Sequence, residues 1–238
     1  MNQEQFHHQL ARQGITLSPA QLDQFEQYYR LLVDWNQKMN LTALTEREEV
    51  YLKHFYDSLT VAFYYNFREP VNLVDVGAGA GFPSLPLKIC FPHVQVTIVD
   101  SLKKRITFLE HLVQALNLDH VRLYHDRAEH FGQLPEHREQ YDLVLARAVA
   151  RLNVLSELCL PLAKVKGTFI AMKGAKGKEE LREAQGAIPK LGGEIKDLHQ
   201  LYLPGDEGER QLIILHKVRP TPGKYPRQPG LPAKKPLK

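Results

Sequence analysis

Val71-Asn72-Leu73-Val74-Asp75-Val76-Gly77-Ala78-Gly79-Ala80-Gly81-Phe82-Pro83 reads as a short buried strand, a glycine-rich turn and the start of a helix. The β-branched and apolar run before Gly77 suits a strand. The glycines permit positive φ angles and a close backbone approach to a ligand, and a helix start offers unpaired amides. Pro83 fits the first turn of that helix. Asp100, 19 residues after Gly81, closes the next strand-like run, Val94 to Val99. A carboxylate there can grip two ribose hydroxyls. A glycine cluster alone also fits a structural turn. The strand before it and the acid after it favour a nucleoside-cofactor site at the carboxyl ends of parallel strands.

Outward from this motif, strand and helix patterns alternate. Val121 to Tyr124, Tyr141 to Ala146 and Thr168 to Met172 read as further strands, the last after a break at Gly167. Ile106, Leu109, Val113 and Leu116 mark one side of an intervening helix, and Leu155 to Leu162 another helix. Such alternation predicts a parallel sheet wound with helices. Glu194 to Leu203 and Gln211 to Val218 then predict a terminal hairpin across a Gly/Asp/Glu loop. Residues 1–68 read as helical. Ser18-Pro19-Ala20-Gln21 is a capping box with proline at the first helical position. Leu22, Phe25, Tyr29 and Leu32 follow at helical spacing to an end near Trp35 and Asn36. A second helix carries Leu52, Phe55, Leu59 and Phe63 inward, with His54, Asp57 and Ser58 sharing one polar edge. The expected organisation is a helical extension (1–68), a catalytic domain (69–218) and a tail (219–238).

Of the 238 residues, 43% are apolar and 24% charged, which argues against a disordered or membrane-embedded chain. No apolar stretch reaches the length of a membrane helix, and residues 1–8 lack the apolar core of a signal peptide. Cys90 and Cys159 stand far apart, and no histidine spacing suits a metal. The expectation is a cytoplasmic protein with no membrane or metal partner; oligomeric state is unreadable. Residues 219–238 hold six of the 31 basic residues and no acid, so the remaining 25 face all 27 acids. The six prolines of this tail disfavour helix and predict an extended segment. It is either a solvated end or an arm for a polyanion. As an arm, its removal would weaken RNA binding and leave cofactor affinity intact.

The cofactor class follows from spacing. A dinucleotide fingerprint, Gly-x-Gly-x-x-Gly, fails from either Gly77 or Gly79, because Phe82 or Ser84 occupies the last position. The acid-led string Asp75-x-Gly77-x-Gly79-x-Gly81 instead resembles the first motif of S-adenosylmethionine-dependent methyltransferases. The terminal hairpin resembles the antiparallel seventh strand of that fold. The fourth strand ends in Ala146-Arg147-Ala148, with neither an Asn/Asp-Pro-Pro-aromatic box nor a Pro-Cys pair. Arg147 is either cleft-facing or an ordinary surface arginine. Lys173-Gly174-Ala175-Lys176-Gly177-Lys178 fails as a phosphate loop and reads as a mobile basic loop, with Lys173 nearest the cleft.

Trp35-Asn36-x-x-x-Asn40-Leu41-Thr42, Lys53-His54-Phe55-x-Asp57-Ser58 and the Gly81-Phe82-Pro83 extension occur in that order. Asp126-Arg127-Ala128-Glu129, Ala146-Arg147-Ala148 and Glu209-Arg210 follow. Together they resemble the bacterial 16S ribosomal RNA guanine-N7 methyltransferases, ribosomal small-subunit methyltransferase G or glucose-inhibited division protein B. The resemblance implies a Rossmann-like class I methyltransferase fold: a seven-stranded, mostly parallel sheet with a terminal antiparallel hairpin and N-terminal helices. It implies S-adenosyl-L-methionine as cofactor, lined by Gly77, Phe82, Ala128 and Glu129, with Arg147 on the cofactor or positioning the target base; the glycine loop and the acid after it add Gly79 and Asp100. Arg147 would also be the catalytic residue. Asn40, His54, Asp57, Arg127, Lys173 and Arg210 match family positions around the substrate cleft. The partner would be 16S rRNA or the small ribosomal subunit, and the target a guanine in the 530 loop.

Guanine N7 carries an in-plane lone pair, so its attack on a sulfonium methyl needs no general base. Positioning and electrostatics should then dominate. An arginine forked across O6 and N7 would block that lone pair, so Arg147 is expected at O6, a phosphate or the cofactor. Trp35, Phe55 and Phe82 are candidates for stacking or cofactor packing, with Phe55 the most core-like. A nicotinamide-dependent oxidoreductase could use the same loop and Asp100. A non-catalytic RNA-binding assembly factor could use the tail.

Overall fold

The computed structural model describes residues 1–205 and 208–238. Its centre is a sheet of β1 (Asn72–Val76), β2 (Gln95–Asp100), β3 (Val121–His125), β4 (Tyr141–Arg147), β5 (Ala163–Lys173), β6 (Gly193–Tyr202) and β7 (Glu209–Lys217). The strand order is β3-β2-β1-β4-β5-β7-β6, parallel except for β7, which runs antiparallel to both neighbours. This is the expected methyltransferase topology. Between β1 and β4 the winding reverses direction, and the glycine loop leaves β1 at that switch point. The loop expected between the terminal strands includes Asp206 and Glu207, which lie outside the described residues.

Strand alternation divides the core in two. Leu73, Leu143, Leu145, Ile170, Met172, Leu212 and Ile214 face one side and join Phe6, Phe25, Tyr28 and Phe55 of the N-terminal segment. Val74, Val76, Val144, Ala146, Phe169, Ala171, Ile213 and Leu215 face the other, with Leu155, Ile188 and Tyr225. The N-terminal segment therefore packs on one face and the C-terminal residues on the opposite one.

Several expectations need correction. The Pro19–Met39 helix outruns its expected end, because Asn40 caps it at φ 49° and donates its amide to Asn36 O. Along this helix Tyr28 is fully buried, while Tyr29 is only half-buried. The second helical stretch is not uniform: Arg47–Val50 is α, Tyr51–Tyr56 is a π turn, Asp57–Leu59 is α and Thr60–Phe63 is 3-10. Gly167 lies inside β5 rather than before it, since that strand starts at Ala163 through a register shift opposite Tyr141 and Leu143. The basic run after β5 is no open loop. Lys173 is buried against Glu180 (2.8 Å), and a helix, Gly177–Ala184, begins within the run.

The largest correction concerns the tail. Residues 219–238 form neither a solvated end nor a free arm. Thr221 and Tyr225 are buried. Prolines leave carbonyls without local partners, and the body supplies donors for them. Arg138 donates to the carbonyls of Thr221, Pro222 and Tyr225 at 2.8, 3.3 and 2.7 Å. Arg227 forks onto the fully buried Glu157 at 2.8 and 2.7 Å. A short helix, Leu231–Lys234, follows, its Pro232 in the tolerated first turn. Among the described residues no helix is long and apolar enough to cross a membrane, and no group of three or more metal-ligating side chains converges.

Candidate functional site

A cleft of about 1040 Å³ opens at the carboxyl ends of β4, β1, β2 and β3. Gly77 and Gly79 form its floor at φ +74° and +61°. A Cβ on Gly77 would stand 2.8 Å from Val149, whereas one on Gly79 would project into open space. Asp75 ties this floor to the following helix, accepting from the Ser84 amide at 3.1 Å. Burial raises the Asp75 pKa to about 7, although Ser84 and Arg147 oppose the rise. Its Oδ1 and the Ser84 hydroxyl are both buried without a partner.

At the β4 end, Arg147 sits in a basket built by the Lys53–Asp57 turn. Its Nη1 donates to Asp57 Oδ2 at 3.0 Å and to the Lys53 carbonyl at 3.2 Å, and Nη2 reaches His54 Nδ1 at 3.3 Å. Its guanidinium lies 5.0 Å over the Phe82 ring. Phe82 is in turn sandwiched between His54 (4.6 Å) and Tyr28 (5.4 Å). Asp57 also accepts from Arg210 Nε at 3.0 Å, so one buried carboxylate bridges two arginines. The π turn produces this grouping: His54 and Asp57 share the edge expected for them, while Phe55 points into the core.

Burial and then Arg147 lower the His54 pKa to about 3. The ring is therefore neutral. Because Arg147 can only donate, Nδ1 accepts and Nε2–H is assigned toward Thr42 Oγ1 at 2.8 Å. Thr42 Oγ1 also accepts from the Leu44 amide, at 3.0 Å.

At the β2 and β3 end, Asp100 does more than face a ligand: only 2% of its surface is accessible, and it accepts from the Gly79 and Leu102 amides and from Arg105. Loop shaping is thus part of its role. Ala128 and Glu129 line the cleft beyond it, with Arg127 largely exposed at the rim. Burial acts to raise the Glu129 pKa, but the amides of Gly230 and Glu129 and the Arg127 guanidinium outweigh it and hold the value below the ordinary one.

Of the residues expected here, Gly77, Gly79, Phe82, Asp100, Ala128, Glu129, Arg147, His54, Asp57, Arg127, Lys173 and Arg210 all line the cleft. Asn40 does not; it is an exposed helix cap that starts the turn carrying Leu41 and Thr42 to the rim. Trp35 packs against Phe108 and His111 instead of a ligand surface. Sequence reasoning passed over Tyr28, whose hydroxyl donates to the Ala80 carbonyl at 2.6 Å and so anchors the glycine loop. It also passed over Thr42, present in a quoted motif, and over Pro232 and Ala233, which reach the cleft from the tail.

Known proteins agree with this geometry. A family model described as rRNA small subunit methyltransferase G matches residues 21–213. The chain belongs to that family. A ribosomal RNA small subunit methyltransferase G from Halalkalibacterium halodurans is 66% identical over 98% of both chains. One from Bacillus cytotoxicus is 61% identical over 100% of this chain and 99% of its own. Among solved structures, TrmN from Thermus thermophilus is similar in fold, with a TM-score of 0.51 at 18% identity, covering 69% of this chain and 48% of TrmN. TYW2 from M. jannaschii, in complex with AdoMet, gives 0.52 at 16% identity over 69% and 76%.

Proposed function

We propose that this chain transfers a methyl group from S-adenosyl-L-methionine to N7 of a guanine in the 530 loop of 16S rRNA, in the cytoplasm. The observation that carries this reading is the arginine basket: Arg147 held by Asp57, His54 and Lys53 beside the glycine floor. The cleft fits the cofactor. It has open space above Gly79, the Asp100 carboxylate at the end of β2 and an acidic group, Glu129, at its far end. Gly77, Gly79, Phe82, Asp100, Ala128, Glu129 and Arg147 would hold it, and when bound it supplies an electrophilic methyl.

The chain's own groups then do three things. Asp57 and the Lys53 carbonyl fix the guanidinium orientation, so that Arg147 adds positive charge without rotating freely. Phe82 stacks on neutral His54 and excludes water on that side. Arg210, on the other oxygen of Asp57, leaves the trio with one net positive charge for phosphate or guanine O6. The acid–base groups nearby are engaged: His54 is too weak a base at a pKa of about 3, and Asp57 is paired twice. A nucleophile with its own lone pair, such as guanine N7, suits this arrangement because no proton need leave first. Reverse-transcription mapping of 7-methylguanosine in 16S RNA from cells with and without the protein tests the reading. An unchanged modification pattern would sink it.

A further inference from the structure

The strand order gives the cleft a direction. Arg147 ends β4, the glycine loop follows β1, Asp100 ends β2, and Ala128 and Glu129 follow β3, and these strands are adjacent in that order. On the functional reading above, an extended nucleoside cofactor with its reacting end at Arg147 and its ribose near Asp100 has its base at the β3 end. There the C-terminal segment intrudes. Pro232 and Ala233 line the cleft, and the Gly230 amide donates to Glu129 Oε1 at 2.8 Å. The segment is locked from behind. Arg227 binds Glu157 through its amide and its guanidinium, and Gln133 Nε2 donates to the Pro226 carbonyl at 2.7 Å.

We propose that residues 229–234 form the outer wall of the nucleobase end of the cofactor site, with the Gly230 amide as the positioning group for Glu129. This inference rests on the cofactor reading above. It reverses the expectation that removing the tail leaves cofactor affinity intact. A base needs apolar surface on its faces and fixed polar groups at its edge. Pro232 and Ala233 supply apolar surface, and the Gly230 amide, at 2.8 Å, joins the more exposed Arg127 in orienting the Glu129 carboxylate.

The test is calorimetric titration with S-adenosylhomocysteine. Deleting residues 229–238 keeps the Arg227–Glu157 lock and should weaken binding about tenfold, the loss of one charge-assisted hydrogen bond and its wall. Ala233→Trp alters the wall at an exposed position and should change affinity several-fold with an unchanged melting temperature, which guards against a misfolded truncation. Full-length protein carrying Lys235→Ala and Lys238→Ala should bind like wild type, because the wall rather than the charge of the segment is at issue. Wild-type affinity in both the deletion and Ala233→Trp would overturn the inference and leave the cofactor reading standing. Loss of affinity in the lysine variant equal to that of the deletion would also overturn it. No binding by wild type would instead remove the cofactor reading and the wall together.

Discussion

On each face of the sheet a buried carboxylate meets arginine, Asp57 on one and Glu157 on the other, and these two pairings do opposite things. On the N-terminal face, Asp57 is shared by Arg147 and Arg210, both partly exposed to the cleft. On the C-terminal face, Glu157 meets Arg227 alone, through a two-pronged fork and the Arg227 amide, and it does not line the cleft. The first cluster keeps a surplus positive charge facing open space. The second is neutral and lies away from the cleft. Such a pair serves as a clasp, because removing Arg227 strands the fully buried Glu157 charge. A bridged carboxylate is a poor clasp but a good way to aim two cations.

The comparison breaks most visibly at Arg147. Arg147→Ala should lower single-turnover methylation of 16S RNA by about 100-fold or more, the scale of losing a preorganised electrostatic group. The fold should survive, because Asp57 keeps Arg210. Arg147→Lys should not restore the rate, since one ammonium cannot meet Asp57, the Lys53 carbonyl and the Phe82 face together. Transfer within a few-fold of wild type would place the chemistry elsewhere.

Next in size, Glu157→Gln should cost stability on the order of 2–3 kcal/mol in urea unfolding, somewhat less than a fully enclosed pair because Arg227 retains 22% exposure. Asp57→Asn should show the reverse profile: a smaller stability loss and roughly tenfold slower transfer, as Arg147 loses its aim. Equal stability losses in the two variants, with transfer intact in Asp57→Asn, would erase the distinction between clasp and aiming device.

Asp100→Ala sharpens the view of the cleft floor. Removing this carboxylate strands the Gly79 and Leu102 amides, so about 2 kcal/mol of stability should go along with cofactor affinity. An acid that only gripped ribose hydroxyls would lose affinity alone. Weaker binding at an unchanged melting temperature would restore that simpler view.

The sheet was legible because strand alternation and the glycine turn are local signals. Val71 to Pro83 announce the switch point, and the hairpin needs no helix between its strands. The arginine basket was legible in part. His54 and Asp57 sit one helical turn apart, but their meeting with Arg147, some 90 residues later, depends on the π turn docking beside Phe82, and no pattern specified that. Tyr28 was missed because its neighbour Tyr29 fits the same helical period one step round. The tail was misread for a clearer reason. Proline and lysine content reports on what a segment cannot do alone, whereas its packing is set by partners elsewhere: the donors Arg138 and Gln133 and the acceptor Glu157, each remote in sequence.

The smallest expected effect measures how far the surplus charge of Arg147 reaches, through two titrating groups that feel its field, His54 in contact with it and Asp75 beneath the loop. His54 has its pKa lowered from 6.5 to about 3 by burial and then by Arg147. The unfolded chain therefore binds a proton that the folded chain refuses, and the stability His54 contributes is present above pH 6.5 and lost as pH falls toward 3. Asp75 runs the other way. Burial raises its pKa from 3.8 to about 7, so its contribution is full below pH 3.8 and lost as pH rises through 7. Between pH 4 and 6.5 the two slopes oppose, each on the order of 1 kcal/mol per pH unit, and the pair contributes almost no net dependence. Asp75→Asn should uncover the His54 slope, with stability rising toward neutral pH in urea titrations. His54→Gln should uncover a falling slope instead. Arg147 lowers both pKa values, so in Arg147→Ala both should move up: the His54 window shrinks and the Asp75 window widens. The single variant should then lose stability as pH rises in two places where wild type is flat: at the low end of the pH 4–6.5 range, up to the raised His54 value, and above pH 7. Identical slopes for wild type and Arg147→Ala would mean that solvent in the open cleft screens the guanidinium from its neighbours, and that the N-terminal cluster is as self-contained as the Glu157 clasp behind it.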